Sequence, residues 1–263
     1  MGRLEGQVAL VTGAGEGIGL GIARRMAGDG AAIVVAERNE DTGAAAAREL
    51  QDQFGVGASF IATDVTDKAQ VEAAVRHAVE VHGRLDAVVN NAWGGGTMSR
   101  LEHKTDEQME HGLRMAFWPA YWSMQAAFPV MRDQGRGRII NICSLNGVNA
   151  HPFTAEYNTG KEAVRSMTRT AAREWARHGI TANVICPGAK TTSFRMFEQM
   201  APEMARESEA ANPMGHLGDP ETEIAPIAFF LASEDSCYLT GNTLFADGGS
   251  HINGAVWVPD LSD

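Results

Sequence analysis

The sequence predicts an α/β domain built on a doubly wound parallel sheet of about seven strands, with helices on both faces. Three observations carry this expectation. Short apolar runs alternate with helical stripes along the whole chain. The runs are apolar throughout rather than alternating with polar residues, as strands covered on both faces must be. A glycine-rich turn joins the first run to the first stripe.

Taken in order, V-A-L-V-T at 8–12 is the first strand. Ile18, Ile22 and Met26 then share one helix face. A-I-V-V-A at 32–36 is the second strand, followed by an alanine-rich helix to about Gln53. A third strand spans 58–62, and Val71, Val75 and Ala78 mark the next helix. L-D-A-V-V-N at 85–90 is the fourth strand. R-I-I-N-I at 138–142 and T-A-N-V-I at 181–185 flank a helix carrying Val164, Met167, Ala171 and Trp175. Ile224, Ile227, Ala228 and Leu231 form one more amphipathic stripe before a last strand at 243–246. Nothing long enough to serve as a linker divides the chain, so residues 1–263 are expected to form a single domain.

The net charge of −11 argues against nucleic-acid partners and against an anionic membrane surface. No apolar run approaches the roughly 18 residues of a membrane span, and the opening M-G-R-L-E-G-Q has no signal core. Cytoplasm is therefore the expected location. Cys143, Cys186 and Cys237 read as reduced thiols, two of them buried in strands. No two histidines have metal-ligand spacing, so no metal site is expected.

The turn T-G-A-G-E-G-I-G at 12–19 has the spacing G-x-x-x-G-x-G at Gly13, Gly17 and Gly19. Glycines there let backbone amides approach a pyrophosphate at the positive end of a helix. A Rossmann-type dinucleotide site follows, with Gly13, Glu16, Gly17, Ile18 and Gly19 as expected cofactor contacts. The second strand ends in A-E-R-N. A carboxylate at Glu37 can accept from both hydroxyls of an adenosine ribose, and a 2′-phosphate would face it. Glu16 adds negative charge nearby. Together they favour NAD over NADP, with Arg38 expected to lie flat over the adenine rather than clamp a phosphate.

A-E-Y-N-T-G-K-E-A at 155–163 places Tyr157 one helical turn before Lys161. By itself the spacing fits a surface pair as well as a proton-transfer couple.

Taken together, the glycine turn, D-V at 64–65, N-N-A at 90–92, Ser144, Y-N-T-G-K at 157–161, P-G at 187–188 and L-T-G-N-T-L-F-A-D-G-G at 239–249 resemble the short-chain dehydrogenase/reductase family over nearly the whole chain. The resemblance implies that Tyr157 is the general acid or base, that Lys161 tunes it and holds the nicotinamide ribose, and that Ser144 positions the substrate oxygen. It also implies cofactor contacts from Asp64, Val65, Asn91, Ala92, Pro187, Gly188 and Thr192. The substrate would be a small-molecule secondary alcohol or ketone, and the protein a dimer or tetramer. A 3-oxoacyl-carrier-protein reductase and a non-catalytic NAD-sensing regulator are the competing readings. Glu16, Glu37 and the overall acidity count against the first, and the intact Ser144, Tyr157 and Lys161 against the second.

Three positions depart from the family pattern. Its usual Asn in the long helix after strand four is here Ala116, with Pro119 three residues on. A carbonyl of Met115 or Ala116, freed by that proline, is one expected holder of a relay water; a plain structural kink is the other reading. Trp93 stands where a glycine is usual, followed by Gly94–Gly96. It is expected to wall the substrate pocket or else to pack on a neighbouring helix. Lys190 occupies a usually apolar position and is expected either to snorkel outward or to meet an anionic substrate. The resemblance makes about 190–215 a substrate lid. Met196 and Met200, with Trp93, Ser144 and Phe153, are the expected substrate contacts, suited to a bulky or cyclic apolar compound; plain helix packing of the methionine and phenylalanine stripe is the other reading. The tail from about 250 to 263, with Trp257, is expected to reach a neighbouring subunit.

Overall fold

The computed structural model describes residues 2–252, without the side chains of Thr192, Ser193 and Phe197. The expected tail, with Trp257, thus lies outside the described residues from position 253 onward.

Seven strands form one parallel sheet: β1 (Val8–Thr12), β2 (Ala32–Glu37), β3 (Ala58–Ala62), β4 (Ala87–Asn90), β5 (Gly137–Ile142), β6 (Ile180–Pro187) and β7 (Thr243–Ala246). Their order is β3-β2-β1-β4-β5-β6-β7. The registers run Val8 against Ala32, Ala9 against Ala87, Ala87 against Arg138 and Gly137 against Ile180. The strand order reverses between β1 and β4, which opens a crevice at the carboxyl ends of those strands. The fourth strand starts at Ala87, not Leu85. The Asp86 carboxylate is instead engaged by the Val8 amide at 2.9 Å and the Arg84 guanidinium at 2.7 Å.

Successive strand residues face opposite sides, and each side has its own core. Ala9, Val11, Ile33, Val35, Val89 and Ile140 pack with α1 (Gly17–Gly28), α2 (Glu40–Phe54) and α9 (Ala225–Ala232). Val8, Leu10, Val34, Val88 and Ile139 pack with α3 (Lys68–His82), α4 (Asp106–Gln134) and α6 (Ala155–Trp175). Burying each such Val or Ile contributes about 1.5–3 kcal/mol, which is why strands this apolar settle at the centre.

The stripe at 224–231 requires correction. It does not mark an amphipathic helix, because no residue of α9 is exposed; Phe229 fills its other side, under the guanidinium of Arg25. Between β5 and α6 lies a single-turn α5 (Leu145–Val148). The segment expected to act as a lid, about 190–215, holds two helices, α7 (Thr192–Met200) and α8 (Pro202–Ala210).

Helix α4 begins with a capping box between Thr105 and Gln108 and runs through Pro119 and Pro129 without ending. Pro119 has no amide to offer, so the Met115 carbonyl lacks its helical donor.

Candidate active site

Most residues singled out in the sequence lie at or beside the carboxyl ends of the strands. The glycine turn follows β1 and leads into α1, whose N-terminus carries no side-chain cap. Its first-turn amides are therefore free of any side-chain partner. A methyl group on Gly19 would sit 2.1 Å from the Gly13 carbonyl oxygen, and one on Gly13 would sit 2.9 Å from Ala92 Cα. Gly13 and Gly17 adopt φ of 65° and 57°, where glycine is favoured. An open cradle of amides at a helix N-terminus fits the pyrophosphate of a dinucleotide. Ile18 is partly buried against the core below the turn.

Glu37 ends β2. One carboxylate oxygen accepts from the Gly15 amide at 3.2 Å, the other from the amides of Arg38 and Asn39 at 2.8 and 3.0 Å. The residue thus ties the glycine turn to the end of β2. Asp64 accepts from the amide and hydroxyl of Thr66, and these bonds, helped by Arg38, hold its carboxyl below the usual range. Val65 is buried against Val71 and Met115. Asn91 donates to the carbonyls of Thr12 and Gly13 at 3.0 and 3.2 Å, and the Thr12 hydroxyl accepts the amides of Asn91 and Ala92. Thr12 therefore organises two predicted cofactor contacts, a role the sequence did not single out. Pro187 closes β6, and Gly188 lies so close to Asp247 that a methyl group would meet its Cα at 2.9 Å. Thr192 opens α7.

Ser144, Tyr157 and Lys161 come together. Ser144 caps α5, accepting the Asn146 amide at 3.1 Å, and its hydroxyl hydrogen-bonds the Tyr157 phenol. Burial pushes that phenol up to about 12, against the lowering effect of Ser144. Lys161 is 4 % exposed, donates to the Ile142 carbonyl at 2.8 Å, and is lowered by its burial. Its ammonium lies 5.7 Å from the centre of the Tyr157 ring. The thiols of Cys143 and Cys186 lie near Tyr157 and Lys161, both buried and both raised to about 12 by burial. Cys143 donates to the Lys161 carbonyl at 3.4 Å. Cys237, the third cysteine, is exposed.

Two devices hold α6 in place. The first is close approach: Gly112 of α4 faces the Glu156 backbone, and Ala116 faces Gly160, the residue before Lys161. The second is a buried polar chain. Ser123 donates to Asn90 at 2.6 Å, Asn90 to Asn141 at 2.8 Å, and Asn141 to Thr168 at 2.8 Å. It joins α4, β4, β5 and α6, and no periodicity argument could find it. Asn141→Ala is expected to cost about 1–3 kcal/mol for each group left unpaired, read as a lower urea midpoint with unchanged m value.

Trp93 packs its ring edge-on against Tyr157, with centroids 4.6 Å apart at 67°, and lies 5.6 Å from the Lys161 ammonium. Phe153 has φ of 69° and is 45 % exposed, while Met196 and Met200 are 59 % and 86 % exposed on α7. Lys190 meets Glu198 of α7 at 3.0 Å and Glu209 of α8 at 3.1 Å. Its ammonium is thus paired with both α7 and α8, an arrangement that neither expectation included. Sequence reading also missed Lys104 and Glu156, an ion pair beside Tyr157 with no local spacing to betray it.

No helix among the described residues is long and apolar enough to cross a membrane, and no cluster of metal-binding side chains occurs among them.

The family model described as enoyl-(acyl carrier protein) reductase matches residues 13–251. A 12alpha-hydroxysteroid dehydrogenase of a Clostridium species is 33 % identical over 255 residues, covering 95 % of this chain and 98 % of its own. The structure of an NAD+-bound xylitol dehydrogenase superposes with a TM-score of 0.88 at 31 % identity, over 94 % of this chain and 99 % of that one. An L-sorbose reductase from Gluconobacter frateurii, solved with NADPH and L-sorbose, superposes with a TM-score of 0.89 at 31 % identity, over 95 % and 98 % of the two chains.

Proposed function

The chain belongs to the short-chain dehydrogenase/reductase family, and from that premise we propose that it is an NAD(H)-dependent oxidoreductase interconverting a secondary alcohol and a ketone, bulky or cyclic and apolar. Oxidoreductase chemistry on alcohols is common to the dehydrogenases it resembles. The observation that carries the reading is that Ser144 bonds Tyr157 with the Lys161 ammonium 5.7 Å from its ring, at the same carboxyl-end side of the parallel sheet as the uncapped N-terminus of α1.

A nicotinamide dinucleotide, when bound, supplies the hydride acceptor or donor. Gly13, Gly17 and Gly19 would hold its pyrophosphate and Glu37 its adenosine ribose, with Glu16, Ile18, Arg38, Asp64, Val65, Asn91, Ala92, Pro187, Gly188 and Thr192 completing the contacts. The chain's own residues handle the proton. With its phenol pushed up to about 12, Tyr157 is protonated at neutral pH and stands ready to donate to a ketone oxygen. Ser144 orients that same oxygen. In the oxidative direction the Lys161 ammonium favours the phenolate that must accept the alcohol proton. A water on the Met115 or Ala116 carbonyl would carry that proton outward. A high-resolution cofactor complex with no water between Lys161 and those carbonyls removes this step.

Glu37 supports NAD over NADP, because its carboxylate faces the place of a 2′-phosphate. Titration of the protein with NADH and NADPH, followed by nucleotide fluorescence, is expected to give tighter NADH binding; tighter NADPH binding overturns the cofactor assignment. A panel of cyclic and linear secondary alcohols with NAD, read by NADH absorbance, tests the reaction, and no turnover across a broad panel favours a sensor. Met196, Met200 and Phe153 line the entrance in this reading.

The protein acts as one domain in the cytoplasm, as a homo-oligomer of two or four copies. The aromatic face of α4 supports the assembly: Trp118 and Tyr121 are 42 % and 37 % exposed and stack with Phe117 and Trp122. Light scattering that finds a monomer removes this part of the reading.

A further inference from the structure

The segment from Asn91 to Thr105 joins β4 to α4 and carries Trp93 near its start. Its three glycines read as flexibility, and Gly95 does adopt φ of 72°. The contacts describe a loop that is tied down. Lys104 Nζ lies 2.6 Å from Glu156 Oε2, with the two side chains only 1 % and 2 % exposed. Glu156 Oε1 accepts the Thr97 amide at 3.0 Å. The same Lys104 ammonium donates to the Thr97 carbonyl. Further along, the Ser99 amide donates to the Phe153 carbonyl at 3.1 Å, and a His111 ring nitrogen meets the Gly94 carbonyl at 3.2 Å.

One buried ion pair thus gathers the middle and the end of the loop onto the first turn of α6. Glu156 is the residue immediately before Tyr157. Its backbone is itself pressed against Gly112 of α4, so it cannot drift. Two charges removed from water at this depth gain little net stability over an apolar pair. What they do supply is one arrangement: Lys104 can satisfy Glu156 and the Thr97 carbonyl together only with the loop folded back on α6. That arrangement delivers Trp93 edge-on to the Tyr157 ring at 4.6 Å.

The geometry points to Lys104 as a positioning residue: through its pair with Glu156 it holds Trp93 as a fixed wall beside Tyr157, and that wall limits the carbon skeleton that can reach the phenol. The substrate half of this inference rests on the alcohol-oxidoreductase reading; the clamp itself does not. An indole edge-on to the phenol ring narrows the approach to the Tyr157 hydroxyl, and a second bulky group on the carbinol carbon is expected to be excluded by it.

Four variants test it: Lys104→Met, Lys104→Met with Glu156→Leu, Trp93→Gly, and Lys104→Met with Trp93→Gly. The second removes both charges and serves if the first does not fold. Hydrogen exchange of amides 94–103 is expected to quicken by about tenfold or more on loss of the clamp, with sheet amides unchanged. The ratio of kcat/KM for a doubly branched cyclic alcohol over a small secondary alcohol is expected to rise on the order of tenfold in Trp93→Gly and in the clamp variants. It should rise no further when Lys104→Met is added to Trp93→Gly. A merely structural role lowers both substrates alike and leaves the ratio where it was. That result, or unchanged loop exchange in a folded clamp variant, overturns the proposal. Should the wild type turn over no alcohol, the alcohol reading fails, and loop exchange alone decides the clamp.

Discussion

Replacing Tyr157 by Phe is expected to lower kcat/KM for alcohol oxidation and ketone reduction by about 10²–10⁴-fold, the usual worth of a positioned acid or base. The substitution deletes one oxygen and leaves a ring of nearly the same shape against Trp93. Dinucleotide binding should therefore stay within a few-fold of wild type, which separates lost chemistry from lost structure. The pH dependence carries a sign. Burial holds the phenol up at about 12 in the protein alone, so the protonated form dominates through neutral pH. Oxidation, which needs the phenolate, is expected to gain rate with rising pH. Reduction, which needs the phenol, is expected to hold its rate over the same range. Steady-state rates in both directions from pH 6 to 10 check this. A Phe variant that retains wild-type turnover, or oxidation that is fastest at acid pH, removes Tyr157 from the chemistry.

A large loss of stability, with loss of activity beside it, is expected from Gly112→Val. A Cβ at position 112 would lie 2.2 Å from the Glu156 carbonyl oxygen and 2.6 Å from its carbon. Both are backbone atoms of α6, so no flexible side chain can swing away. The opposing face is equally tight: a Cβ on Gly160 would meet the Gly112 carbonyl oxygen at 2.6 Å. Overpacking of a well-filled interior costs about 1–3 kcal/mol, and a backbone clash belongs at the top of that range. The strained contact is one residue from Tyr157, so activity should fall together with the urea midpoint. Gly28→Ala is the control. It also sits in a helix, but its Cβ would touch Phe54 at an ordinary 3.4 Å, and alanine is the better helix former. Equal stability of the two variants would show that α4 and α6 can separate at little cost.

The same contact bears on Ala116. An alanine there fits against Gly160, and the lysine that follows Gly160 turns its ammonium to the Ile142 carbonyl.

Much of this arrangement was legible in the sequence. Short, largely apolar runs marked the seven strands, most plainly β1 and β2, where Val, Ile, Leu and Ala fill both faces; the outer strands β3 and β7 are only partly buried. The glycine turn announced itself through conformations and approaches that only glycine allows, at Gly13 and Gly19 above all. Ser144, Tyr157 and Lys161 could be nominated through the family resemblance; the four-residue spacing of Tyr157 and Lys161 alone fits a surface pair as well. The stripe at 224–231 misled, since periodicity shows which residues face the core but not that Phe229 on the other side is buried as well.

By itself, then, the sequence determined the elements, the order of the strands' chemistry and the residues at their carboxyl ends, because these depend on spacings within one strand, one turn or one helix. Only the tertiary structure decided that Asn90 bonds Asn141 and that Lys104 reaches Glu156 from the far end of a loop. Those partners are remote in the chain, and many polar residues could have supplied them equally well. What selects among them is burial: once the sheet and helices close, a buried charge or amide must find the partner that packing brings within reach.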